Sequence, residues 1–118
     1  MNYEVRVHRL ARLDLVETYQ WAHRRAPKTA ESWLGRFREA IRSLETAPER
    51  CPLAIENTKV TLEIRELRFG KRPNVFRIIF VVDGRTVRVL RIRRGQRRFL
   101  TRRQIEEAAD NDDLSHSS

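Results

Sequence analysis

The chain has few of the residues that cross-link a protein or anchor it in a membrane. Among its 118 residues there is one cysteine, Cys51, so an internal disulfide and a multi-cysteine zinc site are excluded. The longest apolar run, 78–82, has five residues, far short of the roughly 20 that span a bilayer. Segment 1–10 alternates polar and apolar residues and lacks the apolar stretch of a signal peptide. We therefore expect a cytoplasmic protein that does not enter membranes.

The length and the C-terminal composition predict one domain with a short tail. A chain of 118 residues fits a single domain, which we expect to span residues 1–110. Residues 111–118 are acidic and show no apolar period, so we expect a disordered tail there. The three histidines show no zinc spacing. We expect no metal and no cofactor.

Basic residues are concentrated in one stretch of the chain. Residues 62–103 carry fourteen Lys and Arg against three acids, a net charge of +11, whereas residues 1–61 carry +3 and residues 104–118 carry −5. Like charge at this density disfavours a compact fold unless a polyanion balances it. The sequence therefore predicts a nucleic acid or a very acidic protein as partner.

Hydrophobic periodicity predicts the element order β-α-α-β-β-β-α. We expect strands over 2–8, 62–67, 75–82 and 86–92, and helices over 9–25, 28–47 and 101–110. The first two helices are joined by about three residues, which favours an antiparallel hairpin. Its single apolar stripe needs one face of an antiparallel sheet. These features predict an α+β fold, a two-layer sandwich of hairpin and sheet.

With residues in these elements, the chain resembles a known superfamily. The resemblance is carried by Val5–Tyr19, by the stripe Ala30, Trp33, Phe37, Ile41 and Leu44, and by Ser43–Pro52, Ile64–Leu67 and Val75–Phe99. In this order the segments resemble the RelE/ParE toxins of type II toxin–antitoxin systems, over about residues 3–103. The resemblance implies a small basic toxin, similar to ParE-like plasmid stabilisation proteins.

The resemblance also implies partners. A co-produced antitoxin would hold the toxin inactive in a hetero-oligomer, with a segment that folds on binding in an apolar groove between hairpin and sheet. Its acidic residues would neutralise Arg65, Arg77 and Arg94. ParE-like members poison DNA gyrase, whereas RelE-like members cut messenger RNA in the ribosomal A site. One scaffold serves both, and a non-toxic nucleic-acid-binding homologue is a third alternative.

Arginines are the candidate site residues, because guanidinium groups bind phosphate through paired, permanently charged contacts. Arg77 stands at the position of an arginine that RelE-like enzymes use, and Arg94 or Arg97 falls near a second. These three would be catalytic only in a nuclease. We expect target or phosphate binding by a convergent patch of Arg65, Lys71, Arg77, Arg91, Arg93, Arg94, Arg97 and Arg98. Alternatively, Arg77 is a buried ion-pair partner of Glu63 or Glu66.

The residue that would move protons in a nuclease is missing. RelE-like nucleases typically carry a Tyr or His just after the last strand, whereas residues 93–103 here contain neither. Arginine replaces such a group poorly, because its pKa lies far above neutrality. The sequence therefore leaves open whether the chain is an enzyme, which would be a messenger RNA endonuclease. The missing residue favours ParE-like binding over messenger RNA cleavage.

Several other residues have simple structural interpretations. We expect His8 and His23 at the surface, and Asp14 and Glu17 as ordinary charges on an exposed helix face. Cys51, between Arg50 and Pro52, is expected to fill a small apolar space.

Overall fold

The computed structural model describes residues 2–59, 62–95 and 99–110. The strands are β1 (Glu4–Val7), β2 (Ile64–Lys71), β3 (Asn74–Asp83) and β4 (Thr86–Arg94), and the helices are α1 (Arg9–Arg25), α2 (Ala30–Arg42) and α3 (Arg102–Asp110). The predicted order of elements is confirmed. The tail predicted over 111–118 lies outside the described residues. No helix in the described ranges is both long and apolar enough to cross a membrane.

The four strands form one sheet in the order β1-β4-β3-β2. The β2–β3 and β3–β4 pairs are antiparallel, as predicted. β1 pairs in parallel with β4, with Glu4 opposite Thr86, so the sheet is mixed rather than wholly antiparallel. Strand β1 joins this edge because Tyr3, Val5 and Val7 pack against the core beneath the two long helices. The predicted α+β class is confirmed.

Helices α1 and α2 form the predicted hairpin and cover one face of the sheet, which we call the hairpin face. Aromatic rings fill much of this core. The Phe37 ring lies 4.7 Å from that of Phe69, and the Trp21 ring lies 5.4 Å from that of Phe76, edge to face. Such pairs add about 1 kcal/mol each beyond the area that they bury. Cys51 is buried in the same core, as predicted.

Helix α3 covers part of the opposite face, which we call the C-terminal face, and adds a layer there beyond the predicted sandwich. Its core contains the sheet residues Ile64, Ile79, Val81 and Leu90 and, beyond the sheet, Ala54, Leu100, Ile105 and Ala108. Thr101 precedes the helix as its N-cap, as predicted. The Gln104 N–H donates to the Thr101 hydroxyl at 3.2 Å, and the Gln104 side chain accepts from the Thr101 N–H at 2.9 Å. This reciprocal pair is a capping box.

Asp14 joins α1 to the edge of β4, where the sheet extends past the end of β1. Its carboxylate accepts the Ile92 backbone N–H at 2.9 Å and two hydrogen bonds from Arg91, at 2.8 and 3.0 Å. Asp14 is 7% exposed, so its interpretation as an ordinary helix-face charge is wrong. An edge strand has unpaired backbone groups, and the carboxylate satisfies one of them while orienting Arg91.

We predict that Asp14→Ala destabilises the fold by about 3 kcal/mol, because it leaves a largely buried guanidinium and a buried N–H without their acceptor. Urea unfolding followed by circular dichroism measures the change. Glu17→Ala, on an exposed position of the same helix, is the control and should change the stability by less than about 0.5 kcal/mol. Equal effects of the two substitutions would contradict this role of Asp14.

Candidate functional site

Part of the predicted arginine set lies on the C-terminal face. Residues directly opposite each other on neighbouring strands point to the same side of a sheet. Arg77 is opposite Arg68 on β2 and Arg93 on β4, and Arg91 is opposite Ile79. Because Ile79 is part of the core under α3, these side chains leave the sheet on that side.

The other members lie on the hairpin face. Arg94 is opposite Phe76, and Arg65 is opposite Phe80; both rings belong to the core under α1 and α2. Lys71 lies on the same face by alternation along β2 and is exposed.

The predicted convergent patch is therefore not formed by the members that the structure describes. Side chains alternate along each strand, so a dense run of arginines is divided between two faces. Arg97 and Arg98 lie outside the described residues.

Arg77 is the most buried of the members that the structure describes, with 1% of its surface exposed. Its Nη1 donates to Glu56 Oε1 and Glu66 Oε1, both at 2.9 Å, and its Nη2 donates to Glu56 Oε2 at 2.7 Å. Of the two ion-pair partners weighed from the sequence, Glu66 is present, whereas Glu63 pairs with Arg65 at 2.7 Å. The second partner, Glu56, comes from a segment without periodicity, so no sequence pattern indicated it.

Glu56 ties four parts of the chain together. It lies in the 3₁₀ turn Ile55–Lys59, is fully buried, and also accepts the Leu100 N–H at 2.8 Å. Burial alone would raise the pKa of its carboxyl, but the hydrogen bonds from Arg77 and Leu100 outweigh burial and lower that pKa. The long connection, β2, β3 and the segment before α3 therefore meet at one ionic cluster, which we call the Arg77 network.

The remaining described members differ in how far their charge is already balanced. Arg91 is paired with Asp14, whose hydrogen bonds raise the pKa of the guanidinium. The Arg94 guanidinium lies over the Trp21 ring, 5.0 Å from its centre. Within the described ranges, neither Arg94 nor Lys71 forms an ion pair with a carboxylate. Arg94 and Lys71, both on the hairpin face, therefore keep positive charge that no carboxylate of the described chain neutralises.

Neither tyrosine is placed among the sheet arginines. The Tyr3 hydroxyl donates to the Glu49 carboxylate at 3.2 Å, and that hydrogen bond, with partial burial, raises the pKa of Tyr3. The Tyr19 hydroxyl donates to Glu31 at 3.2 Å, and partial burial together with Glu31 raises the pKa of Tyr19. Raised pKa values make both phenols poorer proton donors at neutral pH.

Of the two histidines in the N-terminal half, only one is at the surface. His23 is exposed, as expected. His8 is fully buried, so its expected surface position is wrong. Its Nδ1 accepts the Leu10 N–H at 3.0 Å and caps α1. Among the residues that the structure describes, no group of three or more His, Cys, Asp or Glu is placed to hold a metal ion.

An apolar groove runs along the outer side of the hairpin beside β1. It has a volume of about 660 Å³ and is lined by Val7, Arg12, Leu15, Val16, Tyr19, Leu34, Arg38 and Ile41. Val16 is 54% exposed, although an apolar side chain gains free energy by leaving water. This surface, which we call the hairpin groove, is lined by the two helices with Val7 as its one sheet residue, so it lies mainly between the helices and not between hairpin and sheet as expected.

Arg77→Met should destabilise the protein by about 3–5 kcal/mol, because Glu56 would remain buried without its counter-charge and Glu66 would be left with Arg68 as its ion-pair partner. Urea unfolding at pH 7 measures the loss. The matched comparison adds Glu56→Leu and Glu66→Leu to the same chain, which removes the uncompensated charges and should restore part of the stability, with the Leu100 N–H left without its acceptor. A triple variant as unstable as Arg77→Met would contradict the ionic origin of the effect.

The pH dependence should change sign in Arg77→Met. In the unmodified chain Glu56 has a lowered pKa, so its contribution is complete above the ordinary pKa of about 4.3 and is lost as the pH falls below it. In Arg77→Met, burial raises the pKa of Glu56, and stability should increase as the pH falls from 7 towards 5. Unfolding midpoints across this range test the sign, and parallel profiles for the two proteins would be the contrary result.

Comparison with known proteins agrees with this fold. Residues 5–99 match the family described as "ParE toxin of type II toxin-antitoxin system, parDE". No curated protein matches the chain significantly. A solved chain of the chromosomal ParDE toxin–antitoxin system from P. aeruginosa has a similar structure, with a TM-score of 0.63 and 21% identity, covering 80% of this chain and 97% of that one. That likeness concerns the fold, while the family match spans most of the sequence. The chain therefore belongs to the ParE toxin family of type II toxin–antitoxin systems.

Proposed function

We propose that this protein is a cytoplasmic toxin that arrests growth by binding DNA gyrase, without cutting RNA, and that a cognate antitoxin holds it inactive. The family match supports the toxin assignment. The observation that carries the choice of mechanism is the state of Arg77. A nuclease would need this guanidinium at a phosphate, whereas here it is buried and bound by two carboxylates.

Among the described residues, no tyrosine or histidine lines the cavity at Arg77, where RNA cleavage would need a group that moves protons. Transesterification requires a group that takes the 2′-hydroxyl proton and one that protonates the leaving oxygen. Segment 93–103 contains no Tyr or His, and the tyrosine hydroxyls are bound to Glu49 and Glu31. Glu66 is occupied by Arg77 and Arg68. A toxin that acts by binding needs none of these groups.

The hairpin groove is the proposed antitoxin site. Its apolar lining beside the exposed α1 and α2 fits the apolar side of an amphipathic helix. The positive charges of Arg12 and Arg38 flank the groove, so acidic residues on the antitoxin would add electrostatic complementarity. The P. aeruginosa system, which contains a toxin and an antitoxin by name, supports a partner of this kind.

The gyrase assignment predicts two results with the purified chain. It should inhibit supercoiling of plasmid DNA by gyrase, and transcripts in cells that express it should stay intact, because the two carboxylates at Arg77, Glu56 and Glu66, are held in ion pairs. A supercoiling assay and primer extension measure these outcomes. Cleaved transcripts with unaffected gyrase would instead indicate a ribosome-dependent messenger RNA endonuclease. Normal growth and no effect in either assay would indicate a non-toxic nucleic-acid-binding homologue.

Val16→Glu should free the toxin from its antitoxin. A charged carboxylate in place of the apolar valine should weaken antitoxin binding by at least tenfold, because the apolar contact of the valine with the antitoxin is lost and a charge is desolvated in the complex. Calorimetry with the purified cognate antitoxin measures the affinity, and growth of cells that express both proteins reports the rescue.

Leu13→Glu is the matched control for this substitution. Leu13 is on the same helix and is 52% exposed, compared with 54% for Val16, but it does not line the hairpin groove. The affinity of Leu13→Glu for the antitoxin should stay within about twofold of that of the unmodified chain, as expected for a surface change away from an interface. Equal loss of affinity in the two variants, or loss in Leu13→Glu alone, would move the antitoxin site away from the groove.

A further inference from the structure

A second concave surface lies at the end of the hairpin, between the α1–α2 turn and the β2–β3 turn. It has a volume of about 580 Å³, within the range of small-molecule sites. Its walls combine three aromatic and three basic side chains, namely Trp21, Trp33, Phe69, Arg25, Arg36 and Lys71. We call this surface the aromatic cleft. It shares no lining residue with the hairpin groove.

The cations of the aromatic cleft are available to a ligand. No Asp or Glu lines the cleft, and within 2–59, 62–95 and 99–110 none of Arg25, Arg36 and Lys71 forms an ion pair. All three are exposed. Arg65, by contrast, forms an ion pair with Glu63 of the same chain. Positive charge without an internal counter-charge attracts an anion.

The rings supply a stacking surface next to these cations. Arg25 lies 5.0 Å from the centre of the Trp21 ring, and Arg94 lies at the same distance from it. Trp21 and Trp33 are both partly exposed, with ring centres 6.2 Å apart. Grooves that combine aromatic rings with basic side chains bind single-stranded nucleic acid, because every base has a face that stacks and every linkage carries a phosphate.

We propose that the aromatic cleft binds single-stranded nucleic acid. Bases stack on the exposed parts of Trp21 and Trp33, while Arg25, Arg36 and Lys71 contact the phosphates. A nucleotide satisfies both halves of the cleft in one unit, whereas a run of acidic residues in a peptide would neutralise the cations and leave the rings uncovered. The site requires neither gyrase as target nor the antitoxin groove, so it stands or falls separately from them.

The chain provides its own reporter for this site. Its two tryptophans, Trp21 and Trp33, both line the cleft, so tryptophan fluorescence observes the cleft directly. Titration of the full chain with an oligothymidylate should give saturable quenching, and the affinity should fall steeply as salt is raised. Inorganic polyphosphate, which has charge but no bases, should bind more weakly and quench little.

Charge reversal locates the binding. Lys71→Glu should weaken oligothymidylate binding by about tenfold, since a phosphate contact becomes a repulsion, and Arg36→Glu should act in the same direction. Arg103→Glu makes the same charge change at an exposed position of α3, outside the cleft, and should alter the affinity less than about twofold. Circular dichroism verifies that all three variants are folded.

Three results would overturn the proposal. Equal weakening by Arg103→Glu and Lys71→Glu would show that binding is diffuse attraction to a basic protein. Tighter binding of poly-glutamate than of oligothymidylate would assign the cleft to an acidic peptide. Unquenched tryptophans at saturating oligothymidylate would place the nucleic acid elsewhere.

Discussion

The core under α3, on the C-terminal face of the sheet, depends on the buried Arg77 network. A central strand supplies a guanidinium, the edge strand supplies Glu66, and the long connection supplies Glu56. Desolvating one such group alone is very unfavourable, so all three elements must be in place together. The Leu100 N–H, bound to the same Glu56, draws in the segment that leads to α3. One ionic cluster thus closes the C-terminal face.

Ion pairs within the chain determine which of its surfaces can attract a partner by charge. On the C-terminal face, Arg77 and Arg91 are neutralised by carboxylates of the chain. The hairpin side carries the apolar hairpin groove and the aromatic cleft with its basic rim. Net charge by itself does not distinguish these surfaces. The pairing of each arginine decides which part of a chain of net charge +9 is free to attract a polyanion.

Much of the fold follows from periodicity, and the site does not. Helix α1 has the predicted bounds because its apolar residues recur at helical spacing, and Thr101 caps α3 as its residue type indicates. Asp14 and Glu56 were missed because a carboxylate that is buried and paired looks, in one sequence, the same as an exposed one. The partners of Asp14 lie 77 and 78 positions away. Long-range pairing of this kind leaves no local pattern.

The run of arginines at the end of β4 is a second case in which the sequence alone did not give the site. The high density of arginines in the sequence predicted that their side chains converge on one patch. Alternation along β4 instead sends Arg93 and Arg94 to opposite faces of the sheet. The two-residue period of a strand is enough to predict that the arginines are divided between the two faces. Which of these arginines are neutralised depends on the positions of Glu56 and Asp14, which only the structure gives. Fold class is therefore predictable here at the level of elements, and function depends on contacts between distant segments.

The central claim is that the charge of Arg77 is used inside the protein. A double-mutant cycle with Arg77→Met, Glu56→Gln and the pair, measured by urea unfolding at pH 7, tests it most directly. The account predicts a coupling free energy of about 2–3 kcal/mol, as for groups in one buried network. Additive effects of the two substitutions would contradict it, because Arg77 would then not depend on Glu56 and would be available for an external anion.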